Sequence, residues 1–169
     1  VYGEERFNFD FGECRFVGIN NGDRTGLSGS DLRYLEQELS RPASEGQTDP
    51  PKYKFVIFHV PPIFLANAVA GEDGRGFRWN ARKLKVLMTR LGVDHVFVGH
   101  VHGFASEVVD GVRYTITGGG GADLTSELGP EGNVHNYVVV HVGPQGLRTE
   151  VVRLMKGQWT RAELKEEAG

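Results

Sequence analysis

Three histidines carry the chemistry most directly legible in this 169-residue chain: His59, which follows Tyr53-Lys54-Phe55-Val56-Ile57-Phe58, and the pair in Gly99-His100-Val101-His102-Gly103. Neutral imidazole is the commonest side-chain ligand of transition metals. Residues i and i+2 of an extended chain point to one side about 6.6 Å apart, from a rise near 3.3 Å per residue. At that spacing two rings can lean toward one ion, or toward one each of two ions about 3.5–4 Å apart. Gly99 and Gly103 let the backbone turn sharply around them. Surface or hydrogen-bonded core histidines have the same residue types, so spacing by itself leaves both readings open. The run Gly118 to Gly121 offers a second candidate, with Gly119 and Gly120 presenting backbone amides to a substrate oxyanion or forming a plain turn. Asn67, Arg75, Arg78 and Trp79 occupy a glycine-rich stretch after His59, as a substrate-contacting lid or as ordinary surface.

The elements that must position these groups follow from periodicity. Phe7 to Ile19 alternates apolar and polar residues and breaks at Gly12, which predicts two short strands. Ser28 and Asp31 have the spacing of a capping box, and Leu32, Leu35 and Leu39 continue at helical spacing toward Arg41-Pro42, predicting a helix over 30–40. Tyr53 to Phe58 reads as a strand stopped by Pro61-Pro62, so His59 sits at a strand end. Asn80 is placed to cap a helix bearing Leu84, Leu87, Met88 and Leu91, with Gly92 as its stop. Val93 to Val98 is a short apolar strand covered on both faces, which makes His95 a core or edge histidine. Asp110-Gly111 suits a hairpin turn, and a second hairpin surrounds Gly143-Pro144-Gln145-Gly146. Thr160 and Glu163 have capping spacing for a short helix in a C-terminal tail, 156–169. The pattern is mixed α/β (α+β), with no internal repeat.

A strand ending in His59-Val60-Pro61-Pro62 and a later one ending in Gly99-His100-Val101-His102, with a helix between them, resembles the calcineurin-like metallophosphoesterases. The resemblance runs from about Phe7 to Leu154 and includes the Leu32-to-Leu39 helix and the four-glycine run. It departs at Asn20, where many relatives have aspartate, and at Asp31, where many have glutamine. It implies the C-terminal half of a four-layer α/β/β/α sandwich, residues 1–155, with a mixed sheet and C-terminal hairpins. It further implies two divalent metal ions, of manganese, iron, zinc or nickel, that hydrolyse a phosphate mono- or diester. His59 and His100 would bind one ion and His102 the other. The family's Asp-x-His, its Gly-Asp-x-x-Asp bridging carboxylate and its Gly-Asn-His acid histidine are expected upstream of Val1. Gly22-Asp23-Arg24-Thr25-Gly26 and Gly132-Asn133-Val134-His135 imitate two of those motifs in the wrong form or order. The expected partner is therefore the missing N-terminal half of the same domain, and the chain alone should bind metal weakly and hydrolyse little.

Composition narrows the alternatives. Lys and Arg number 19 against 22 Asp and Glu, net −3 with mixed signs, which excludes a nucleic-acid footprint. A single cysteine, Cys14, forbids an intrachain disulfide and a multi-cysteine zinc cage. No apolar run approaches the roughly 18 residues of a membrane span, and the chain starts at Val1, as after leader removal or a cut inside a larger protein. Two other functions compete. His100, His102, Glu107 and His135 resemble the motifs of a cupin, a mononuclear metal enzyme that is nearly all strand. A non-catalytic interaction module would self-associate through an exposed sheet edge.

Overall fold

The computed structural model describes residues 5–22, 26–43, 49–65, 76–125 and 128–165. Its main sheet starts with the hairpin β1 (Arg6–Phe11) and β2 (Cys14–Ile19), turned at Gly12 with φ 56°. The chain then crosses through α1 (Gly29–Ser40) to β3 (Tyr53–Phe58), and through α2 (Ala81–Arg90) to β4 (His95–Val98). A second hairpin, β5 (Phe104–Val109) and β6 (Val112–Thr117), completes it around Asp110-Gly111, both with positive φ as the tight turn requires. Strand order is β1-β2-β3-β4-β6-β5, with β2, β3, β4 and β6 parallel and the two edges antiparallel. After the short helix α3 (Gly129–Gly132), which the sequence pattern does not announce, β7 (His135–Gly143), β8 (Gly146–Met155) and β9 (Gln158–Glu163) form a separate antiparallel sheet.

Three layers result. One face of the main sheet, through Val17, Val56, Val96 and Ile116, packs on Leu35 and Leu39 of α1 and Leu84 and Met88 of α2, all essentially without solvent contact. The other face carries Phe16, Phe55 and Phe97, with Val140 and Leu147 of the second sheet laid against them. The parallel crossovers and two helices exclude the cupin alternative, whose fold is nearly all strand. The C-terminal helix expected within 156–169 is corrected to β9. Lys156 and Gly157 both take positive φ (50° and 78°), which closes a tight hairpin and returns Gln158 to Glu163 along β8.

Local chemistry explains the helix positions. Ser28 Oγ accepts from the Asp31 amide at 3.1 Å and the Ser28 amide donates to Asp31 Oδ2 at 2.7 Å, closing the capping box at the start of α1. At its other end, Arg15 is buried and bidentate to Asp10 at 2.8 Å, while its remaining donors reach the carbonyls of Glu38, Arg41 and Pro42. One guanidinium thus caps α1 and ties it to the first hairpin. Asn80 is corrected from a side-chain cap: it sits in the left-handed region at φ 61° and its amide donates instead to Leu27 O at 2.8 Å. Gly92, at φ 62°, is the stop after α2 as its position predicts.

Candidate metal centre

The carboxyl ends of adjacent parallel strands bring His59 and His100 together. Their nearest ring nitrogens, His59 Nε2 and His100 Nδ1, lie 3.4 Å apart, with the rings nearly perpendicular at 78°. As it stands the contact is a ring-to-ring hydrogen bond, and its length is compatible with metal–nitrogen bonds of about 2.05 Å from both rings to one ion.

Backbone geometry around each histidine is built for this placement. The His59 and Val60 amides donate to Asn21 Oδ1 at 2.7 and 2.8 Å, and Asn21 Nδ2 donates to Val60 O at 3.1 Å. Asn21 is buried, and its amide clamps the turn that ends β3. Gly99 N donates to His59 O at 2.9 Å, locking the ends of β3 and β4 together. His100 itself adopts φ 64°, a left-handed conformation that costs a non-glycine residue about 1–3 kcal/mol and clusters at functional sites. Val101 beside it is fully buried and anchors the loop. Of these, Asn21 escaped the sequence reading; the pair Asn20-Asn21 after the alternating segment is an available signal, but nothing in the chain says which backbone groups it will hold.

His102 faces a different neighbour. Its Nδ1–H donates to Asp123 O at 2.8 Å, and Thr125 N donates to His102 O at 2.9 Å. That bond fixes the tautomer and leaves the Nε2 lone pair for a ligand, the arrangement common in metal-binding histidines. Among the described residues, no three His, Cys, Asp or Glu side chains close around one point. A cavity of about 390 Å³ opens beside His59 and Gly99, floored by Phe7, Ile57 and Phe97 and rimmed by Asn20 and Thr117.

The remaining candidates divide. A Cβ on Gly119 would stand 2.3 Å from Asn136 Nδ2 and 2.4 Å from Val134 O, so close backbone packing already accounts for glycine there. Its carbonyl accepts from Asn136 N and from His135 Nδ1, each at 3.1 Å. Gly120 is exposed with open space around it. Asn67 and Arg75 lie outside the described residues, whereas Arg78 and Trp79 are exposed on the approach to α2. His95 is a core histidine: Nε2 lies 2.7 Å from Thr115 Oγ1, the ring stacks on Phe97, and burial pushes its pKa down to about 3.

No family model and no curated protein sequence matches the chain. Solved structures do. GAP50, the anchor in the inner membrane complex of Plasmodium, superposes with a TM-score of 0.65 at 15% identity, over 96% of this chain and 54% of that one. A purple acid phosphatase from yellow lupin (Lupinus luteus) seeds superposes with 0.62 at 18% identity, over 92% of this chain and 31% of that one. The fold is the calcineurin-like phosphoesterase fold. The chain thus spans about half or less of the length of these two proteins. At such low identity the likeness concerns architecture alone, and chemistry must be argued from the histidines.

Proposed function

We propose that this chain is part of a metal-dependent phosphoesterase that hydrolyses a phosphate mono- or diester at a dinuclear site. The observation that carries the reading is the approach of His59 Nε2 to His100 Nδ1 at the ends of neighbouring parallel strands. Divalent ions held there supply a water of lowered pKa and neutralise phosphate oxygens, which lets a chain of net charge −3 attract an anionic ester. The chain's own part is to hold imidazoles. His59 and His100 serve one ion and His102 a second, while Asn21 and Gly99 fix the backbone of His59. Asn20 lines the cavity beside His59, where its side-chain amide supplies N–H donors for the ester.

Counting ligands limits what the chain does alone. Two imidazoles for one ion and one for another fall short of the three or four protein ligands such sites need. The remaining ligands, a bridging carboxylate among them, then come from polypeptide upstream of Val1 in the same domain. The aromatic face described above supports this, since Phe7, Phe9 and Phe11 are 43%, 49% and 77% exposed on the sheet.

Metal analysis of the purified chain after dialysis against zinc or manganese tests the reading. Weak, substoichiometric retention that His59→Ala and His100→Ala each abolish is expected, with little hydrolysis of p-nitrophenyl phosphate. Two tightly held ions with strong turnover would defeat the claim that ligands are missing. Retention indifferent to both substitutions would defeat the site itself.

A further inference from the structure

Charge is distributed unevenly in this chain. Between Arg75 and Arg90 lie six of its 19 cationic residues and no acid, although the whole carries −3. In space the acids near α2 are already engaged: Glu36 of α1 pairs with Arg90 at 2.5 Å, and Asp110 with Lys85 at 2.9 Å. Arg78, Arg82 and Lys83 are exposed and have no acidic partner among the described residues. Together with Arg90 they line an open groove of about 560 Å³ whose apolar surface comes from Val86 and Leu87. Val86 is 58% exposed, and Trp79, between the lining residues Arg78 and Asn80, is 59% exposed. Apolar surface edged by cations, three of which have no acidic partner among the described residues, is complementary to a ligand that is both anionic and apolar.

We propose that the groove along α2 docks an acidic polypeptide segment carrying apolar side chains. The lining residues fall along one helix and its approach, a narrow footprint that suits an extended or helical segment. The chain's net negative charge also sets it against an anionic membrane or a nucleic acid, which meet the field of a broad surface. A peptide confined to the groove feels mainly the cations within a Debye length, about 8 Å at physiological salt. This docking is independent of the histidine rim, and its readout is binding rather than hydrolysis.

The test is fluorescence anisotropy of a labelled Glu/Leu peptide titrated with the full chain, against a Gln/Leu peptide and phosphatidylserine vesicles. Saturable binding of the acidic peptide alone is expected, weakening about tenfold or more between 50 and 500 mM salt as the pairs are screened. Arg82→Glu with Lys83→Glu, and separately Arg78→Glu outside the helix, should each reduce affinity strongly. Lys156→Glu, at the β8–β9 turn, should leave it unchanged. No binding at low salt, equal binding by the reversed variants, equal loss in Lys156→Glu, or capture by vesicles but not by peptide would each overturn the proposal.

Discussion

A histidine's surroundings decide whether it titrates, binds or merely packs, and His95 packs. His95 is neutral because burial strips its charged form of water, pushing its pKa down to about 3. The unfolded value lies near 6.5, so the unfolded chain takes the proton first. Stability is therefore fully present above that pH and is lost as pH falls toward the folded value. Between pH 6.5 and 4.5 the loss amounts to about 2 kcal/mol. Urea unfolding at the two pH values should show it, and His95→Gln, which keeps a hydrogen-bonding end for Thr115, should remove most of the difference. Asn21 is the second residue whose role is tertiary. Asn21→Ala frees three backbone groups around His59, and should weaken metal retention as His59→Ala does while leaving the secondary structure intact by circular dichroism. Of the candidate residues, His59, His100 and His102 were legible because strand ends and glycines flank them. Asn21 was not, because its partners lie 38 and 39 positions away along the chain.

Elements are held by capping groups of unequal legibility. The Ser28–Asp31 box is local, so spacing alone revealed it. Its carboxylate lies deep: burial opposes its ionisation, but hydrogen bonds from Ser28 and Arg6 outweigh that and hold its pKa below the ordinary range. Ser28→Ala should cost about 1 kcal/mol in urea titration. At the other end of α1, the cap is Arg15, whose position in an alternating strand gives no hint of it. Arg15→Ala leaves Asp10 buried without its bidentate partner and takes a donor from the carbonyls of Glu38, Arg41 and Pro42, a loss of about 3–5 kcal/mol. α2 lacks a side-chain cap and starts with Arg82 and Lys83 where the helix dipole favours acids. Lys83→Glu should therefore raise stability by about 0.3–1 kcal/mol at low salt while weakening peptide docking. Gly119→Ala separates two roles for the glycine run: the close contacts predict destabilisation of about 1–3 kcal/mol, whereas loss of activity at unchanged stability would restore an oxyanion role.

At the scale of the molecule, the main sheet is covered unequally. Helices cover one face, but on the other the three-stranded sheet reaches Cys14, Phe16, Tyr53, Phe55 and Phe97 and leaves the phenylalanines of β1 exposed. β7, at the border of the smaller sheet, is also an edge strand. An apolar shelf beside an open strand edge drives association. Size-exclusion chromatography should show concentration-dependent self-association, and Phe9→Ser with Phe11→Ser should shift the chain toward monomer. A parent chain that is monomeric at every concentration would remove this support for a missing cover.

Alternation, helical spacing, prolines and paired turn residues determined nearly every element here, since these signals act within a few residues. The order of the strands and the burial of Arg15 were left to tertiary structure, as was the 3.4 Å meeting of two imidazoles 41 residues apart. Thr160 to Glu163 shows the reason most clearly. Their spacing permits a helical turn, but the hairpin at Lys156-Gly157 brings them against β8, and ladder hydrogen bonds to a neighbouring strand outweigh a weak local preference.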